Sequence, residues 1–262
     1  MAGDVLVLCY HAVSDDWPSQ YSVTPADLER QVAGLLRHGY RAATFHQAVA
    51  APPAPRTLAV TFDDALSSVF ERALPVLSGL GVPATVFPCT DAVGSGLPVP
   101  FAPPGWQNGD HDHDLRPMSW DELGQAAEVG WEIGSHTRSH PWLTALDADE
   151  LADELESSKA ECEARLPGAC RSLAYPFGDT DARVVEAARA AGYQAAGGVL
   201  WGTEPFGPLH WPRIVVLRRD GGRRFGLKVA RPLRGLRASA TWRWIERLRS
   251  SQSRSQAAEA VR

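Results

Sequence analysis

The chain has 262 residues, 44% of them hydrophobic and 22% charged. These values lie near the globular average and exclude a disordered, collagen-like or coiled-coil chain for its bulk. The net charge of −5 hides an asymmetry: residues 1–220 carry 15 basic and 29 acidic side chains, residues 221–262 carry 11 and 2. An acidic body speaks against nucleic acid as a partner.

Short apolar runs alternate with helix-like patterns. Val5–Tyr10 reads as a buried strand. Thr24-Pro25-Ala26-Asp27 offers an N-cap, a proline at the first helical position and an acidic third residue, so a helix opens there and ends near Gly39. A strand over Leu58–Phe62, a helix over Ala65–Leu77 and a strand over Ala84–Pro88 follow. Residues 91–117, rich in Gly, Pro, Asp and His, form a long loop, a feature that in compact domains is usually functional or mobile. Ser119-Trp120-Asp121-Glu122 is a capping box for a helix that stops near Gly130. Next come a strand over Trp131–Ser135, an acidic helix over Asp147–Leu166, a strand over Arg171–Tyr175, a helix over Asp181–Ala191, and strands over Tyr193–Gly197 and Trp211–Leu217. Seven strands alternating with helices over about 220 residues predict a closed or nearly closed parallel barrel. The four cysteines show no C-x-x-C spacing and are expected to be reduced and buried. No apolar run has transmembrane length and no basic leader opens the sequence, which sets the expectation of a cytoplasmic protein, with the inner membrane face as a second place for it.

The ionisable residues collect at strand ends. His11 follows the first strand, Asp63 and Asp64 the second, His136 and His140 the fourth, and Tyr175-Pro176-Phe177-Gly178 the fifth; His210 and Arg213 flank the start of the last. In a parallel barrel the carboxyl ends of the strands form the face that carries active sites. If His136-Thr137-Arg138-Ser139-His140 turns helically, its two imidazoles share a face and with an aspartate make a three-ligand metal site. Two adjacent aspartates at an apolar strand end fit a cation beside one of them, or the N-cap of the helix that follows. Asp110 to Asp114 reads as a solvated loop rather than a second metal site.

Thr61-Phe62-Asp63-Asp64, followed by His136-Thr137-Arg138-Ser139-His140 and then Tyr175-Pro176-Phe177-Gly178, resembles the NodB-homology polysaccharide deacetylases, carbohydrate esterase family 4. The resemblance covers roughly residues 4–217. It implies a distorted (β/α) barrel of about seven parallel strands, a divalent metal, zinc by expectation, and removal of N-acetyl groups from a glycan or glycolipid. Asp63 matches the family's general base, Asp64, His136 and His140 its metal ligands, and Phe177 its backbone donor to the oxyanion. Cys9-Tyr10-His11-Ala12-Val13 is similar to a subgroup that includes poly-N-acetylglucosamine deacetylases and points to His11 as the acid, with His210 as the alternative. The arginine that orients the base in the family's third motif is Ala174 here, and Arg213 is the candidate replacement. Tyr175, Pro176 and Trp142 are the expected substrate contacts. A hydrolase of non-sugar amides and a non-catalytic glycan-binding barrel are the alternatives.

The deacetylase domain is expected over residues 1–220, a basic amphipathic extension over 221–249 and a disordered tail over 250–262. The extension mixes Phe225, Leu227, Val229, Trp242 and Trp244 with basic residues, a composition that suits either an anionic membrane surface or a helix packed on the acidic body.

Overall fold

The computed structural model describes residues 4–96, 99, 113–199 and 207–237. Its elements in chain order are β1 (Asp4–Tyr10), β2 (Ala12–Val13), β3 (Ser22–Val23), α1 (Pro25–Arg37), β4 (Arg41–Ala43), α2 (Phe45–Ala50), β5 (Arg56–Asp63), α3 (Leu74–Gly79), β6 (Ala84–Phe87), α4 (Trp120–Glu128), β7 (Glu132–Ile133), α5 (Ala148–Arg165), β8 (Ser172–Ala174), α6 (Ala182–Ala190), β9 (Ala195–Val199), β10 (Trp211–Val215), α7 (Gly222–Val229) and α8 (Arg231–Arg237).

Seven strands run parallel in the order β7-β6-β5-β1-β10-β9-β8, with β4 added beside β5. Ser135 pairs with Leu173 in parallel, so the segment after β7 meets β8 and nearly closes the barrel. This is the expected architecture. β1, β5, β6, β8 and β9 are buried on both faces over nearly their whole length, as parallel strands covered by helices must be. Leu6, Leu8 and Tyr10 of β1 pack outward with Leu28, Val32 and Leu35 of α1. Val7 points the other way, into a cluster with Ala59, Phe87, Ala174 and Ala195 that Phe45, Ala48 and Val49 of α2 complete.

The helix starts follow the capping chemistry. Thr24 accepts the Asp27 amide, and Ser119–Glu122 and Asp147–Glu150 form reciprocal boxes. Two expectations change. β4 and α2, three and six residues long, occupy the stretch between the first helix and β5, where no element is expected. The helix expected from Ala65 begins only at Ser67 and runs as a π-helix over Val69–Ala73 before α3. Pro75 is the reason: it has no amide to bond the Glu71 carbonyl and its ring crowds that carbonyl, so the chain accommodates an extra residue.

All four cysteines are free and buried. No helix among the described residues is long and apolar enough to cross a membrane. The basic extension divides. Phe225 and Val229 of α7 are buried in the main core cluster, Lys228 and Arg224 pair with the buried Asp220, and Arg234 of α8 bonds Asp4 at 2.6 Å. These two apolar side chains are therefore taken by the barrel rather than offered to a membrane. Trp242, Trp244 and the tail from Ser250 lie outside the described residues. Phe225→Ala should cost about 3 kcal/mol of stability, the usual range for emptying a buried phenylalanine site, read by urea unfolding; an unchanged midpoint would show that α7 is not part of the folded core.

Candidate active site and metal centre

The carboxyl ends of the strands bring the expected polar residues together. Thr61 and Asp63 lie on one side of β5 by strand alternation. The Arg213 guanidinium meets the Asp63 carboxylate as a fork, Nη1 to Oδ1 at 2.6 Å and Nη2 to Oδ2 at 2.8 Å, and also donates to Thr61 Oγ1 at 3.3 Å. Arg213 is only 1% exposed. Its path is made by Gly197, where a Cβ would lie 2.5 Å from both Cδ and Nε of Arg213. Ala174 pairs with Gly197 on the neighbouring strand, so the guanidinium that the third motif does not supply comes from β10 across a glycine. Burial alone would raise the Asp63 pKa; the Arg213 charge and its two hydrogen bonds overcome it and hold the carboxyl well below the usual range. Cys9, on β1, donates its thiol to Asp63 Oδ2 at 3.4 Å, and burial pushes that thiol well up.

Asp64 turns away from Asp63. Its backbone is left-handed (φ 66°), as is that of Ala65 (φ 47°), so the two carboxylates face different partners and Asp64 does not cap the following helix. Asp64 Oδ1 lies 3.6 Å from His136 Nε2 and 3.7 Å from His140 Nε2. The segment from His136 to His140 does not turn helically, the condition under which the spacing alone would place the two imidazoles on one face. Thr137 (φ 67°) and His140 (φ 64°) are left-handed, and this loop brings the two rings to 4.8 Å at 79°. His136 Nδ1 is 2.7 Å from the Ala174 carbonyl, which makes Nδ1 the protonated nitrogen and leaves the Nε2 lone pair facing Asp64. Burial lowers the pKa of His136 and takes that of His140 to about 2, so both are neutral. Burial and the neighbouring Asp63 charge raise Asp64 to about 8.

This cluster fits a divalent cation. The ligand atoms of Asp64, His136 and His140 lie within 4.8 Å of one another. Asp64 Oδ1 is a buried acceptor with no hydrogen-bond partner among the described residues. Tetrahedral ligands about 2.1 Å from zinc lie about 3.4 Å apart, near the separations found here. Two imidazoles and one carboxylate leave a position open, the pattern of catalytic rather than structural zinc sites.

His11 is half-buried beside this cluster; its ring nitrogen comes within 4.8 Å of Cys9 Sγ and an Asp63 oxygen, and its ring lies 5.0 Å from that of Tyr21. Burial lowers its pKa to about 4. His210, the alternative, packs against Gly198, and its ring is 6.4 Å from that of Tyr175. Phe177 is left-handed (φ 58°), which turns its ring outward, stacked on Trp142 at 4.1 Å and edge-on to His140 at 4.5 Å. Trp142 and Phe177 are 53% and 47% exposed.

Two expected substrate contacts need correction. Tyr175 is 1% exposed and donates its hydroxyl to the Leu209 carbonyl, and Pro176 is buried after it. They shape the turn that presents Phe177 and are not available to a ligand. Of the other residues considered, His113 stands 3.8 Å from Glu71, whereas Asp110, His111 and Asp112 lie outside the described residues. Cys9, Thr61 and Gly197 are site residues that the sequence reading missed. The Gly197–Gly198 pair inside a strand was the available signal, since glycine there marks a close approach.

The polysaccharide deacetylase family profile matches residues 50–196. The poly-beta-1,6-N-acetyl-D-glucosamine N-deacetylase of Staphylococcus epidermidis is 25% identical over 187 residues, 66% of this chain and 60% of its own length. A Bacillus subtilis protein assigned to the polysaccharide deacetylases, YxkH, is 25% identical over 193 residues, 72% of this chain and 62% of its own. The chain therefore spans less than two thirds of the length of either relative. Among solved structures, Streptococcus pyogenes deacetylase PplD in complex with acetate superposes with a TM-score of 0.72 at 20% identity, over 88% of this chain and 100% of that one. IcaB from Ammonifex degensii gives 0.67 at 21%, over 87% and 98%. These likenesses agree with the fold, and with a profile match that spans more than half of its residues, the chain belongs to the polysaccharide deacetylase family.

Proposed function

We propose that this chain is a divalent-metal-dependent N-deacetylase acting on an acetamido sugar in a glycan or glycolipid. The observation that carries the reading is the division of labour between adjacent carboxylates. Asp63 is held ionised by Arg213, and Asp64 faces two neutral imidazoles. A binding module has no use for an ionised base set beside a ligand triad.

A divalent cation held by Asp64, His136 and His140 would supply Lewis acidity, polarising the amide carbonyl and acidifying a water. The remaining chemistry belongs to the chain. Asp63, whose Oδ2 lies 3.9 Å from His136 Nε2, takes the proton of the attacking water. Arg213 keeps Asp63 anionic and fixes its plane. The Phe177 amide donates to the oxygen that gains negative charge. The His11 imidazole, close to Asp63, receives that proton and passes it to the departing amine as the C–N bond breaks, leaving acetate and a free amino sugar. The exposed Trp142–Phe177 stack offers an apolar wall to the C–H face of a sugar, which favours a glycan over a small linear amide. The relative acting on poly-N-acetylglucosamine supports the same substrate class.

Acetate release from N-acetylglucosamine oligomers should require metal and stop with chelator. Asp63→Asn should lower kcat by about 10³-fold, within the usual range for a general base. Arg213→Lys should lower it less, since a point charge replaces the fork. Acetate release by Asp63→Asn at the parent rate would overturn the reading. A second prediction concerns the ligand. The Asp64 pKa of about 8 lies above that of an unfolded aspartate, so the carboxyl is protonated below pH 8 and must ionise to bind a cation. Zinc titration at pH 6 in buffers of different ionisation enthalpy should release close to one proton per ion, and none in Asp64→Asn. Equal release by both proteins would remove Asp64 from the ligand set.

A further inference from the structure

The ligand loop is held from outside by α5. Glu154, a buried carboxylate on that helix, accepts the Arg138 amide on Oε2 at 2.9 Å, the Ser139 amide on Oε2 at 2.9 Å and the Ser139 hydroxyl on Oε1 at 2.5 Å. One helical turn further on, Ser158 accepts the hydroxyl of Ser135, whose own Oγ accepts the Thr137 amide at 3.0 Å. The two anchors thus grip the chain on either side of His136. The Arg138 side chain is engaged elsewhere, with Asp91 and Asp153, so Glu154 serves the backbone and not a cation.

The loop has reason to need holding. Thr137 and His140 are both left-handed, a conformation that costs a side-chain-bearing residue roughly 1–2 kcal/mol. Between them stand the two amides that Glu154 accepts. Without an acceptor there, these partly buried amides would be free to turn the loop another way and draw the two imidazoles apart. Metal sites tolerate little of this, since ligand atoms must stay within about 0.5 Å of the binding geometry.

We infer that Glu154 is a positioning residue for the metal centre, acting through the backbone of Arg138 and Ser139 to set the spacing of His136 and His140. The inference rests on the proposed metal-binding reading of Asp64, His136 and His140. It separates three substitutions. Glutamine at 154 can keep every contact, its carbonyl accepting the two amides and its NH₂ donating to Ser139 Oγ. Alanine removes all three. Ser139→Ala removes the hydroxyl bond alone.

The test is zinc affinity by competition with a chromophoric chelator, together with the visible spectrum of the cobalt-loaded protein. Glu154→Ala should weaken zinc binding by about 10-fold or more, the usual effect of losing a group that supports metal ligands, and should change the cobalt spectrum. Glu154→Gln should stay near the parent in both. If Glu154→Ala does not fold, Ser139→Ala carries the test, with a smaller loss of affinity. Parent-like affinity and spectrum in Glu154→Ala, or in Ser139→Ala where that variant stands in, overturn the inference. So does an equal loss in Glu154→Gln, which would assign the effect to charge rather than geometry. A parent protein that binds neither ion would instead contradict the metal-binding reading itself.

Discussion

The fork between Arg213 and Asp63 is the contact on which the rest of the site depends. Both groups are buried, and burying two charges costs several kcal/mol per ion unless geometry and further hydrogen bonds compensate. Compensation is present on both sides, from Thr61 on the guanidinium and Cys9 on the carboxylate. The consequence is functional. A carboxylate this enclosed would otherwise take up a proton, as its neighbour Asp64 does, and could not act as a base. Arg213 separates two adjacent, chemically identical side chains into one that is an anion at rest and one that ionises for a cation.

The backbone carries the cost of that arrangement. Among the described residues, the non-glycine positions with positive φ are Asp64, Ala65, Thr137, His140 and Phe177, and every one belongs to the site or adjoins it. Strain concentrated in this way persists only where surrounding contacts over-determine it. Those contacts are visible: the Ala174 carbonyl on His136, the α5 anchors on the ligand loop, and the buried Tyr175-Pro176 turn beneath Phe177.

Much of this was legible in the residues. Alternating apolar runs and caps announced the parallel barrel, because strand burial and capping are local chemistry. The placement of Asp63, Asp64, His136 and His140 at strand ends was equally readable. What could not be read was long-range. Nothing local to Arg213 says that it crosses Gly197 to reach a residue 150 positions away. The H-x-x-x-H spacing suggested a helix, whereas Glu154, on a helix that begins eight residues later, holds it as an irregular loop. Tyr175 and Pro176 looked like contacts because they precede Phe177, but burial separates residues that the motif joins. β4 and α2 were too short for periodicity to reveal.

The most direct measurement is a double-mutant cycle on kcat/KM for acetate release, using Asp63→Asn, Arg213→Met and the pair, with metal saturating. If Arg213 acts by keeping Asp63 an anion, the double variant should be no slower than Asp63→Asn alone, because an asparagine has no charge to maintain. Losses that multiply independently would show that Arg213 serves the reaction by another route and would contradict the account.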